Sequence, residues 1–236
     1  MTKRKRRKRP HRPSAVSEYR QGIRQADETI SYHNIDIRPD NWQEVALYWF
    51  TPNEPGRGAL TRYIAANEDR LGVSWAREIV RLTIFFQKQD YVQIIEHYDK
   101  ALSRYPRCAL VEMWVADQIF RHAADFWRAR RMYYYVIDAL PDHPKSYYEL
   151  GFMDYLLGDY GGALDYFDQA AERATGDDAE MEARIFYNRG IVHYLVDGDK
   201  TAAIADVKEA LKYNPDYPQA KETLRDMQSK MGWATW

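Results

Sequence analysis

The sequence predicts an all-α protein of stacked helical hairpins, and three observations predict it. The stretch Lys145–Asp178 reads as two amphipathic helices. The first carries Leu150 and Gly151 and stops at Gly158–Asp159. The second starts at Tyr160 and repeats Ala163, Phe167 and Ala170 on one helical stripe. Gly151 and Ala163 are small residues on facing helices, so the backbones can approach while Tyr160 and Phe167 fill the space around them. The pattern also recurs: Ile94 to Ala129 is 35 residues, Ala129 to Ala163 is 34, and Pro106 to Pro141 is 35. Finally, the chain closes with Pro218–Met231, a segment with Lys221, Glu222, Arg225 and Asp226 at exposed positions, as the end of a stacked array requires.

In chain order, residues 1–13 hold eight Lys/Arg and no acid, and Pro10 and Pro13 deny them a stable helix. They read as a disordered basic arm. The remaining residues carry 26 basic and 35 acidic side chains, a net −9 hidden by the overall −1. Lys3, Arg4, Lys5, Arg6, Arg7, Lys8, Arg9 and Arg12 would bind a polyanion (nucleic acid, a ribosomal surface or anionic lipid), or would simply be solvated. Arm-driven binding would be salt-sensitive, because each phosphate contact releases counterions. Residues 14–73 form an irregular helical region. Ser14–Asn34 is polar and weakly helical, Ile35–Pro39 is a connector, and Asn41–Phe50 is an apolar helix. Asn53–Gly58, with Pro55, Gly56 and Gly58, reads as a turn before a helix over Ala59–Leu71. Repeats follow over 74–216, at about 74–108, 110–143, 144–178 and 183–216. Their helices are Ser74–Gln87 and Tyr91–Tyr105, Leu110–His122 and Asp125–Leu140, the central pair, then Arg184–Val196 and Asp199–Lys212. Residues 217–236 make the capping helix and a tail with Trp233 and Trp236, which either folds back or offers a short anchor.

The hairpin with Leu150–Gly151, Ala163, Phe167 and Ala170 resembles the tetratricopeptide repeat (TPR), a unit of about 34 residues with these types at fixed offsets. The match is best over residues 110–216. Tyr91, Ile94, Tyr98, Ala101 and Pro106 fall in the same slots, as do Phe126, Ala129, Tyr133 and Pro141, and Gly190, Ala203, Ala210 and Pro215. Asp154 replaces the usual tyrosine, Thr175 the usual proline, and Ala116–Asp117 the Leu-Gly pair. One residue too many separates Gly190 from Gly198, which would bulge the helix end or lengthen its turn.

The resemblance implies a right-handed superhelix whose first helices line a groove that binds a partner segment. Its groove positions here are Trp114, Gln118, Arg121 and His122, then Lys145, Tyr148, Phe152 and Tyr155, then Arg184, Tyr187, Ile191 and Tyr194. Aromatics with Arg are the composition of binding hot spots. The competing reading is that many of these side chains pack between repeats. Lys145 and Asn188 resemble fragments of a TPR carboxylate clamp, but Ile79 and Thr83 stand where partners are wanted, and Glu149 would repel a carboxylate.

Catalysis finds no support in the sequence. The six histidines are scattered singly, and there is no HExxH, Gly-rich phosphate loop or GxSxG. His97 and His193, beside aromatics, read as interhelical hydrogen-bonding residues. The lone Cys108 excludes an intramolecular disulfide and reads as a buried small residue. No cofactor and no metal are expected. No apolar run approaches the roughly 18 residues of a membrane span, and no apolar stretch follows the basic arm as in a secretory signal. The expectation is a cytoplasmic adaptor or scaffold, with a nuclear location open if the organism has a nucleus. The alternative is a nucleic-acid- or ribosome-associated protein anchored by the arm.

Overall fold

The structure, a computed structural model, describes residues 14–50, 54–123, 125–198 and 200–229. The basic arm and the tail carrying Trp233 and Trp236 lie outside the described residues. Among these there are twelve α-helices and no strand: α1 (Ala15–Tyr32), α2 (Trp42–Phe50), α3 (Glu54–Ala66), α4 (Val73–Gln87), α5 (Tyr91–Lys100), α6 (Ala109–Gln118), α7 (Phe126–Ala139), α8 (Pro144–Leu157), α9 (Tyr160–Ala171), α10 (Ala179–Asp197), α11 (Lys200–Tyr213) and α12 (Pro218–Gln228). The chain divides into two compact units. The first is Met1–Leu110 with Arg121–Ala123, and the second is Val111–Phe120 with Ala124–Trp236.

In the first unit α2 packs on α4, with Trp42 edge-on to Trp75 at 6.1 Å. Tyr63 of α3 also meets Trp75, and its hydroxyl donates to the Pro106 carbonyl at 2.6 Å. The expected turn at residues 53–58 is corrected: α3 already starts at Glu54. Pro55 falls in its first turn, where a missing N–H removes no helical bond. Tyr91–Tyr105 is likewise not one helix, since a 3₁₀ turn at Leu102–Arg104 follows α5. Cys108 is buried, as its type implied.

Helix α1 is far more regular than its polar sequence suggested. Ser14 caps it by accepting from the Ser17 N–H, and Ala26 and Ile30 are its buried residues. Tyr19 and Ile23 are half-buried on the same stripe, and polar bonds add to its docking. Arg81 of α4 donates through Nε and Nη2 to the Asp27 carboxylate, each at 2.8 Å, and Gln93 of α5 donates to the Glu18 carbonyl at 3.3 Å. His97 of α5 is fully buried. Its Nε2 lies 3.0 Å from the Glu78 carbonyl and its Nδ1 3.4 Å from the Tyr19 hydroxyl. A neutral ring donating from Nε2 and accepting at Nδ1 satisfies both.

Burial pushes the His97 pKa below the ordinary histidine value, working against the Glu78 carboxylate 3.3 Å away. The unfolded chain then binds the extra proton first, so stability rises with pH. It is fully present above about pH 6.5 and is lost as pH falls from there toward the depressed native value. Denaturation melts at pH 7 and pH 5 should show this loss, with a slope of at most about 1.4 kcal/mol per pH unit for one site. His97→Gln should flatten the part that belongs to this ring. His143, also pushed down by burial, would carry what remains.

In the second unit the hairpins stack in chain order, α8 against α7 and α9, and α10 against α9 and α11, with α12 on α11. Asp125, Asp159 and Asp178 cap α7, α9 and α10 by accepting from the Arg128, Gly162 and Met181 N–H groups. α10 starts at Ala179, a turn earlier than the sequence suggested. Its cap and the first-turn Glu180 and Glu182 favour the positive helix end. The residue in excess before Gly198 is absorbed as helix: α10 runs to Asp197, and Gly198 ends it with φ 61°. Thr175 in the proline slot has a reason, because its N–H donates to Glu182 at 2.9 Å and proline has none to give. The expected helix Leu110–His122 is α6 followed by a π turn at Ile119–Ala123.

Candidate partner-binding face

The side chains that could meet a partner are set by which faces of α6, α8 and α10 the packing leaves open. On α8 the core takes Tyr147, Leu150 and Met153, and the Cβ direction of Gly151 is closed by Phe167. Phe152, Tyr155 and Leu156 share the next stripe at i, i+3 and i+4. Phe152 and Tyr155 are half-buried with stacked rings 6.1 Å apart, and Leu156 is 56% exposed. On α10 the same spacing gives Ile191 and Tyr194, half-buried against the Ala203–Val207–Ala220 cluster, and Leu195, 44% exposed. Phe120, in the turn after α6, sets its ring edge-on to Phe152 at 6.3 Å. The result is an apolar, largely aromatic strip across α8 and α10.

Several expected groove residues have other work. Tyr148 is corrected: it is 6% exposed, packs on Phe152 and Phe167, and its hydroxyl accepts from Asn188 Nδ2 at 3.1 Å. Asn188 is thereby withdrawn from any clamp, and so is Lys145, whose ammonium is bonded to Asp117 Oδ2 of α6. Asp117 also accepts from the Tyr133 hydroxyl of α7 at 2.6 Å, so a carboxylate in the glycine slot ties three helices together. Glu149 is buried, and so is not available to a ligand at the surface. Arg184 pairs with Glu180, and Tyr187 sets its ring 5.0 Å from that of Tyr217. Trp114 and Gln118 are half-buried. Arg121 and His122 are exposed and group with the first unit, where His122 stacks on Tyr91 at 4.3 Å. The eight cations of residues 3–12 lie outside the described residues.

Ion pairs join neighbouring hairpins beneath this face. Arg130 of α7 reaches Asp154 of α8 at 2.5 Å, which accounts for the aspartate in the tyrosine slot. Arg189 of α10 bridges Asp206 of α11 at 2.6 Å and Asp168 of α9 at 3.1 Å, and its bond to Asp206 holds the guanidinium pKa above its ordinary value. His97 bonds between helices as expected, whereas His193 lies 3.7 Å from Asp206, beyond hydrogen-bond distance. Among the described residues no group of three or more His, Cys, Asp or Glu is placed to hold a metal ion, and no helix is long and apolar enough to cross a membrane.

Leu156 and Leu195 are the members of the strip that sequence reasoning missed. Their signal was present: each stands one place after a tyrosine of the stripe and ends the i, i+3, i+4 series.

No family model matches the chain, and no curated protein matches it in sequence. Solved structures do. YrrB, described as a TPR protein with an unusual peptide-binding site, matches with a TM-score of 0.54 at 16% identity, over 86% of this chain and 99% of that one. MamA matches with a TM-score of 0.50 at 19% identity, over 62% of this chain and 86% of that one. At such identities the likeness speaks of fold, and it agrees with the repeat spacing: the chain has an all-α, TPR-like fold.

Proposed function

We propose that this protein is a non-catalytic interaction scaffold that holds a protein or peptide segment on the α8–α10 strip of its second unit. The observation that carries the reading is the strip itself: Phe152, Tyr155, Ile191 and Tyr194 half-buried and preorganised by packing, with Leu156 and Leu195 standing out beside them. Rigid aromatics at a partly exposed site contribute contact area with little entropy left to lose on binding. The peptide-binding site named for YrrB supports this by analogy of fold alone. The basic arm would add an electrostatic contact of its own, raising avidity through effective concentration.

The test is a pull-down from native lysate with full-length protein, a deletion of residues 1–13, and Tyr155→Ala/Tyr194→Ala checked for helicity. Recovery of the same partner by the first two baits, reduced at least about tenfold with the third, is the expected result. Recovery that needs the arm and vanishes with nuclease would instead favour anchoring on nucleic acid or a ribosome.

A further inference from the structure

We propose that the edge of the second unit where α8 and α10 end and α7 begins takes a cationic partner segment that also carries aliphatic side chains. The inference rests on the partner-binding reading and adds the partner's chemistry and where it lies.

Successive helices alternate in direction, so the first turn of α7 lies beside the last turn of α8, and the first turn of α9 beside the last of α10. The Arg130–Asp154 bond and the Tyr155–Tyr160 ring contact at 5.9 Å mark this edge. Along it Trp127 is 63% exposed, Leu156 56%, Leu157 58%, Leu195 44% and Val196 43%. Among the described residues of this unit the one other exposed large hydrophobic is Tyr134, whose hydroxyl accepts from Arg130. A scattered exposed leucine needs no explanation, but a gathering of nearly all of them on one edge does.

Charge says what would cover it. The arm holds eight cations and no acid, the rest of the first unit is balanced at 13 basic and 13 acidic residues, and the second unit has 13 basic against 22 acidic. The whole negative excess therefore belongs to the unit that carries the apolar edge. Its cations are also heavily committed: Arg130, Lys145, Arg173, Arg184, Arg189, Lys212 and Lys221 all sit in ion pairs. Asp125 and Asp159 are exposed on the same edge, each accepting one backbone N–H as a helix cap and keeping further acceptor capacity toward solvent. Exposed Lys200 and Arg131 also stand near the edge, so the attraction comes from the net −9 of the unit as a whole, which steers Lys/Arg-bearing segments and disfavours acidic ones. The protein's own arm meets only half the requirement, since Met1 is its one large apolar side chain.

The probes are fluorescein-labelled peptides of lysine and leucine about four helical turns long, their glutamate-for-lysine counterparts, and free residues 1–13, titrated with the full-length chain by anisotropy. The lysine–leucine peptide should bind at least about tenfold more tightly than either other probe. Leu156→Ser/Leu195→Ser, both exposed and so tolerated by the fold, should weaken it about tenfold, and Asp159→Asn should weaken it less, and only at low salt. Equal binding of all probes, indifference to the leucine pair, or tight binding of residues 1–13 would overturn the proposal. So would a wild-type dimer in sedimentation that the leucine pair turns into monomer, because the edge would then be covered by a second copy. A partner lost with Tyr155→Ala/Tyr194→Ala while all these peptides bind alike would leave the scaffold reading standing and remove only the partner chemistry.

Discussion

Phe167→Ala is expected to lower the unfolding free energy of the second unit by about 3–5 kcal/mol. The ring is fully buried, its centroid lies 5.8 Å from that of Tyr148, and it fills the gap that Gly151 leaves on the facing helix. A Cβ built at Gly151 would stand 2.9 Å from two carbons of the Phe167 ring and 3.1 Å from the Ala163 carbonyl oxygen. Gly151 and Phe167 are thus two halves of one contact. Gly151→Ala alone should destabilise by about 1–3 kcal/mol through overpacking. In the Phe167→Ala background it should cost less, because the ring it strikes is gone and the backbone oxygen alone still crowds it. Urea melts of the four proteins of this cycle measure the coupling. Strict additivity would mean that the two residues do not share this space.

That contact was legible in the sequence because its parts repeat at a fixed interval and follow the helical period. Gly190 shows the same geometry in the next hairpin, its Cβ direction meeting the Ala203 oxygen at 3.0 Å and Val207 at 3.2 Å. What stayed hidden were pairings between side chains far apart in the chain. Lys145 resembled part of a carboxylate clamp until Asp117, 28 residues earlier, was found bonded to it. Asp154 broke the repeat pattern, and only Arg130 of the previous hairpin explains it. Tyr148 carried a groove position by analogy, yet its ring is drawn inward because Phe152 and Phe167 lie on either side. Helix α1 was obscured for a different reason: Tyr19, Ile23, Ala26 and Ile30 do form an inward stripe, but they are few among many polar residues, and polar bonds share the docking. Local pattern announces the hairpins, and non-local charge decides which of their side chains remain for a partner.

The second large effect should come from that charge. Arg189→Met is expected to cost the second unit about 2–3 kcal/mol, less than the roughly 3–5 kcal/mol of a fully buried broken pair. The reduction reflects exposure: the Arg189 side chain is 20% accessible and that of Asp168 50%, so water screens part of the loss. Asp206, at 9%, is the group left stranded. Its other neighbour, His193 Nε2, stands 3.7 Å away, beyond hydrogen-bond distance, and does not replace the bonds of the guanidinium. Replacing the aspartate as well tests the mechanism, because Arg189→Met/Asp206→Leu removes the uncompensated charge together with its partner. The double variant should recover most of the stability lost by the single one, since a buried ion pair exchanged for apolar groups of similar size is often neutral. Denaturation midpoints at pH 7.5 for the two variants and the wild type decide it. If the double variant is as unstable as Arg189→Met, the loss comes instead from the packing of the guanidinium over Phe186, 5.1 Å from its ring centre, and the bridge is incidental to the stacking of these hairpins.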